Sequence, residues 1–505
     1  MSSAPHSSAH TVEPPINIPR SGLVAQFFSF PVMCMFLLVG VVFGFAVRSI
    51  AEPDIWWHLR NGEEMVVHHT IPSVDTYSFG AAGSAWLDHE WLSEIPFFLA
   101  FRAAGLQGIL ALYFTLLVLI YLGVYYRTCR EGADCKSATL TTLLAIFLGV
   151  VSIGPRILLF GWLCMVGLLL VLDHFQHTGK GLWLLPFLFA VWINLHGSWI
   201  FGMAVLGLTI AAGFVKGEWG LVVARRWTRA EYKYLLMATG ASVVALFINP
   251  FGYRLPLYPF DLLFRQPSNL KYIEEWHSVD FGNGNGKLAL LVILALLAAP
   301  LFSQRRWELH GVLLTAFALW AGLSHSRLLF FAGLVIPPLL ASRFELFPPY
   351  DPNIDKPWLN AVIMVGMLGG MIYFSPPAVK LQQDVEGQYP AAALKFMRQH
   401  QLQGRIFNAD WWGGYMEWNT PELKPFVDGR TDIFVYNGTF DDHVRAGVIQ
   451  QPFEILNKYR IDYVLLEPKR PLTYLLEHSP EWKTIYSDKV AELFQRMPTS
   501  TTPSE

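Results

Sequence analysis

The chain has 505 residues, 53% hydrophobic and 15% charged, with a formal net charge of −2. Soluble domains carry about 25% charged residues, so this composition excludes an ordinary soluble fold and points to a polytopic helical membrane protein. No basic stripe or nucleic-acid-binding motif is present, which excludes a nucleic-acid partner.

Residues 1–28, rich in Ser, Pro and His, read as a disordered cytoplasmic N-terminus. The first apolar segment, roughly 29–49, is too long for a signal-peptide core and lacks a clear cleavage site, so it reads as a retained anchor. Residues 50–105 follow as a first external loop. It holds Asp54, His58, Asp88, His89 and Glu90 among Trp56, Trp57, Trp86 and Trp91. Indole rings suit the membrane–water interface, while the carboxylates must face water or a polar chamber. The plainer alternative is a solvated loop that only covers the bundle.

Further apolar spans lie at roughly 106–126, 137–154, 157–173, 181–195, 198–215, 234–250, 287–303, 309–324, 327–342 and 358–374, making eleven. Arg127, Arg130, Lys136, Lys180, Lys216, Arg225, Arg226, Arg229, Lys233, Arg305, Arg306, Arg343 and Lys356 fall in alternate loops. That bias places those loops, and the N-terminus, in the cytoplasm. An odd number of spans then puts residues 375–505 outside. This last region gains charge and reads as a periplasmic or extracellular α/β domain. Helices are expected at 389–401 and 451–459, strands at 405–408, 415–418, 425–428 and 462–466, and a hairpin at 483–497. Four cysteines, two in apolar segments and two (Cys129, Cys135) in a cytoplasmic loop, imply no disulfide framework and form no CxxC metal motif.

This topology gathers polar side chains from distant segments at the external ends of spans. They include Asp54, His58, Asp88, His89, Glu90, Arg156, Asn194, His196, Asn249, Arg254, Glu275, His325 and Arg327. Ionisable groups at that depth are costly unless paired or functional, so the group points to a polar cavity open to the exterior. Asp54 suits a general base and also the N-cap of a helix over 55–67. Asp88 and Glu90 are candidates to assist it. Arg156, Arg254 and Arg327 suit a phosphate, although each can instead snorkel toward headgroups. Glu275, His58, His89, His196 and His325 complete the candidate binding set. The histidine spacing defines no metal site, so no metal ligand is assigned and a divalent metal stays an alternative. In the C-terminal region, Asp410 within 408–415 and Asp428 within 428–432 suit an acceptor platform, or else two ordinary turns.

The arrangement resembles the GT-C superfamily of membrane glycosyltransferases, which includes protein O-mannosyltransferases, the lipid A aminoarabinose transferase and the catalytic subunit of oligosaccharyltransferase. In that superfamily a long first external loop opens with an essential acid, the place Asp54 occupies, and carries two helices along the membrane, to which 55–68 and 86–103 are similar. The resemblance implies transfer of a sugar from a polyprenyl-phosphate donor to an acceptor hydroxyl at the external face of a bacterial inner membrane. Asp54 would be the base, Asp88 or Glu90 would assist, and Arg156, Arg254 or Arg327 would hold the leaving phosphate. Membrane lipids would be its other partners. The alternatives are a lipid-linked sugar transporter or flippase, a non-catalytic scaffold of a membrane complex, and an O-antigen ligase or polymerase.

Overall fold

The computed structural model describes residues 22–48, 50–265, 274–344 and 347–498, and most of them are helical. Residues 1–21 of the expected disordered lead lie outside this range. Its last part is not disordered, because Leu23–Phe27 form a short helix.

All eleven apolar segments are helices: α1 (Phe30–Ala46), part of α3 (Trp91–Arg130), α4 (Cys135–Leu148), α5 (Leu158–Thr178), α6 (Leu184–Leu195), α7 (Trp199–Ala212), α8 (Arg229–Ala245) and, after the intervening helix α9 (Arg254–Arg265), α10 (Gly284–Phe302), α11 (Leu309–Ser324), α12 (Leu329–Ala341) and α13 (Pro357–Phe374). Among them α3, α5, α10 and α13 are long and apolar enough to cross a membrane. The others have 17 residues or fewer. At about 1.5 Å per residue, even 17 fall short of a hydrocarbon core about 30 Å thick. Four helices of spanning length, rather than eleven, are therefore what the fold displays.

The loop over 50–105 contains α2 (Ile55–Val67) and the start of α3 (Trp91–Arg130). Sequence periodicity separates a surface helix ending at 103 from a span beginning at 106. The two are one 40-residue element, broken at Ala104 (φ −146°) and Gly105 (φ 60°, ψ −141°). Only glycine adopts that second conformation readily. The break lets the first three turns of α3 pack on α2 while the remainder joins α1 and α5 in the bundle.

Short strands β1 (Gly217–Trp219), β2 (Val222–Ala224) and β3 (Trp307–Glu308) make a small sheet between the loops after α7 and α10, which the sequence does not announce. A larger sheet orders the C-terminal region: β4 (Ile406–Asn408), β5 (Tyr463–Leu466), β7 (Glu492–Arg496), β6 (Trp482–Ser487). Its β4 and β5 are parallel, and the β6–β7 hairpin adds antiparallel strands. Helices Ala391–Gln399 and Pro452–Lys458 match expectation.

Two expected strands are absent. Residues 415–418 belong to a helix, Gly413–Asn419, and 425–428 make only a single bridge, Pro425 to Ile406. The cause is docking. The Gly413–Asn419 helix lies on α2, where a Cβ on Gly414 would sit 3.1 Å from the Trp57 backbone nitrogen. Buried side chains of the apolar helical bundle, the 50–105 loop and the C-terminal sheet form one continuous apolar core.

Candidate functional site

The chain leaves α1 through Glu52-Pro53-Asp54 and enters α2. Asp54 is the N-cap residue, but its side chain makes no capping bond. Its Oδ1 instead accepts a hydrogen bond from Trp57 Nε1 at 3.2 Å. The carboxyl is half-buried. Burial, with Glu52 adding to it, pushes its pKa up to about 7 against the opposing pull of Arg156. A Cβ on Gly429 would stand 2.0 Å from Asp54 Oδ1, so the C-terminal region lies directly over this carboxyl.

Arg156, in the turn before α5, donates from Nε to Glu52 at 2.9 Å and from a terminal nitrogen to Glu275 at 2.7 Å. Burial raises the Glu52 carboxyl, and the Arg156 charge works against that shift. With two carboxylates already on it, Arg156 is not free to clamp a phosphate. Arg327 differs. Its guanidinium lies 4.8 Å from the centre of the Trp276 ring. Among the described residues no carboxylate is within ion-pair distance of it. His325 faces the same tryptophan, with Nδ1 2.7 Å from the Trp276 carbonyl oxygen, and so anchors the Glu275–Trp276 turn. Arg254 is exposed at the start of a helix, Arg254–Arg265, so it does not join the group as expected.

Glu90 occupies the opposite wall. Its Oε1 is 3.1 Å from His196 Nε2 and 3.5 Å from His89 Nε2. Burial alone would raise this acid, but His89 and His196 overcome it and hold the carboxyl well below its usual range. The His89 ring packs 4.7 Å from Tyr258, whose hydroxyl donates to Asp432 at 2.6 Å. Thus Asp54, Glu90, His89, His196, Arg156, Glu275 and Arg327 come together as a half-buried polar cluster.

Three expected members lie elsewhere. Asp88 is buried one layer down, where it accepts from Asn61 Nδ2 and from the Glu90 backbone N–H at 3.2 Å. Burial pushes it up to about 6, and its place is under Glu90, not in the cluster. His58 is buried against Glu94, with Nδ1 2.8 Å from its carboxylate; burial holds the imidazole down at about 3, hence neutral. Asp410 sits after β4 with Arg470 and the buried His443 as its titratable neighbours, and it does not join the group around Asp54.

Asp428 is not a free platform either. It binds Arg430 through both oxygens, at 2.9 and 2.6 Å. Arg430, fully buried, also reaches Asp75 of the first loop at 2.8 Å and Glu417 at 3.2 Å, and lies over the Trp86 and Tyr77 rings. This cluster fixes the turn that carries Gly429 over Asp54. Sequence reasoning missed Glu52, and it singled out the stretch 428–432 without giving Arg430 or Asp432, or Asp75 of the loop, a role of its own. The signal available for Glu52 was its place two residues before Asp54.

Among the described residues no group of three or more His, Cys, Asp or Glu side chains is placed to hold a metal ion. No family model matches the chain, and no curated protein matches it.

Proposed function

We propose that the protein is a membrane glycosyltransferase of GT-C type. It would move a sugar from a polyprenyl-phosphate donor to an acceptor hydroxyl at the external membrane face, with all eleven apolar helices packed into the membrane body. One observation carries the reading: a carboxyl at the head of the first loop helix, pushed up to about 7, lies in the same polar cluster as Arg327, which among the described residues has no carboxylate within ion-pair distance. General bases work best with a pKa near the working pH.

In this mechanism Asp54 takes the proton of the acceptor hydroxyl as that oxygen bonds to the anomeric carbon. The bond from that carbon to the phosphate oxygen breaks, and the electron pair leaves with the polyprenyl phosphate. Arg327 meets the charge developing on the phosphate. Glu52, Glu275 and Arg156 form a fixed ion chain that places Asp54 and Arg327. Glu90, kept ionised between His89 and His196, holds the wall against which the acceptor rests.

The test is reconstitution into proteoliposomes containing a panel of polyprenyl-phosphate sugars, with release of free polyprenyl phosphate followed by mass spectrometry. Wild-type protein should release it with at least one donor. Asp54→Asn should lower release by at least about 100-fold while melting like the wild type. No release with any donor, or equal release by Asp54→Asn, would sink the proposal. The close cover of Asp54 by Gly429 favours one rival, a non-catalytic subunit whose loop is an interface, and that second outcome would support it.

A further inference from the structure

Helices α1 and α4 begin side by side, and one strap of chain, residues 348–360, holds them so. Asp355 of the strap accepts the Phe30 backbone N–H at 2.9 Å, the Tyr350 hydroxyl at 2.7 Å and Asn360 Nδ2 at 2.7 Å. Asp134, the N-cap of α4, accepts the Lys136 backbone N–H at 2.9 Å and the Tyr350 backbone N–H at 2.6 Å. The Lys136 ammonium donates to the Pro348 carbonyl. Beyond these ties the two helices pack against each other.

Each of the lashed ends carries a cysteine. Cys34 lies one turn into α1, on the face of Phe30, whose ring stacks on Tyr350 at 6.0 Å. Cys135 is the first residue of α4. Both are buried. The Cys135 thiol donates a hydrogen bond to the Cys34 sulfur. A third thiol, Cys129 near the end of α3, lies close by. A single buried cysteine behaves as a small apolar residue. Two thiols in hydrogen-bond contact are a different case, since only a small approach brings them to the bonding distance of about 2 Å.

We propose that Cys34 and Cys135 form a reversible disulfide, a modification site that clamps α1 to α4 when a peroxide is present. The Cys34 sulfur attacks one peroxide oxygen, the O–O bond breaks, and the departing oxygen leaves as water after taking a proton. Cys34 is then a sulfenic acid. The Cys135 sulfur attacks the Cys34 sulfur, the S–O bond breaks, and a second water leaves. Two thiols thus lose two electrons and two protons, and one hydrogen peroxide becomes two waters. The clamp is independent of the transferase reading, since it uses none of the residues assigned to transfer.

The test uses the full chain in detergent, reduced with a phosphine and then freed of it. After exposure to hydrogen peroxide the protein is denatured, its remaining thiols are alkylated with N-ethylmaleimide, and an unreduced digest is read by mass spectrometry. A peptide joining Cys34 to Cys135 should dominate the cysteine-linked products, and phosphine should abolish it. Cys129→Ser should still form it; Cys34→Ser and Cys135→Ser should not. The bridge closes a loop of about 100 residues, so peroxide should raise the wild-type melting temperature by at least about 3 °C, and phosphine should reverse the rise. The wild-type measurements decide the matter even where a serine variant fails to fold. No linked peptide in the wild type, linkage of either residue to Cys129 instead, or a bridge that leaves the melting temperature unmoved would overturn the proposal.

Discussion

Asp54 shows how neighbours decide what one carboxyl can do. Burial lifts it to about 7, and the sign of the consequence is fixed. A base acts only after losing its proton, so transfer should climb as pH rises through 7 and level off above it, measured as initial rates between pH 5 and 9. The same shift bears on stability. The folded state holds this proton more tightly than the unfolded chain, so the stabilisation is complete below the ordinary value of 3.8 and is lost as pH rises through about 7. Arg430 is the other decisive residue. Removing the guanidinium that Asp75, Asp428 and Glu417 surround leaves buried acid groups without their cation, which costs about 3–5 kcal/mol. Arg430→Gln should therefore melt far below the wild type, or fail to accumulate, in a fluorescence-monitored thermal scan. Neither role can be read from a residue type. The sequence supports Asp54 as an N-cap, yet its side chain caps nothing, because Trp57 claims the oxygen. Asp428 reads as an open turn residue because Arg430, two places on, acquires its other partner 355 positions away.

At the level of elements, apolar periodicity located all eleven hydrophobic helices, because continuous apolar runs have few alternatives in or near a membrane. It failed where tertiary packing overrides local preference. Aromatic residues at 415–418 favour a strand, but this stretch is helical because Gly413 and Gly414 bring it against α2. The break in α3 was legible as the boundary between a helix ending at 103 and a span beginning at 106, and the φ of 60° at Gly105 gives its physical cause. Gly105→Ala would place a side chain in a conformation that costs of order 1–3 kcal/mol. The expected result is a lowered melting temperature, together with faster proteolysis in the 50–105 loop as the first turns of α3 loosen from α2.

For the whole molecule, the lysine and arginine bias and the position of the C-terminal sheet make one prediction. A cysteine placed by Lys380→Cys should react with a membrane-impermeant maleimide in intact cells. One placed by Lys216→Cys should react only after permeabilisation, with the four native cysteines replaced beforehand. The reverse pattern would invert the orientation and move the Asp54 cluster to the cytoplasm. Length sets a limit on the membrane account. Helices of 12 to 17 residues cross a bilayer only as parts of a larger packed body, which α3 and α5 are long enough to frame.

The pairing of Asp75 with Arg430 also dictates an order of events during synthesis. For most of translation the 50–105 loop exists without its partner, carrying an acid whose guanidinium has not yet left the ribosome. The loop can take its final shape only after some 350 further residues have been made and threaded. A product terminated shortly before Arg430 would keep its apolar helices and still present an unfinished loop, ready prey for proteases.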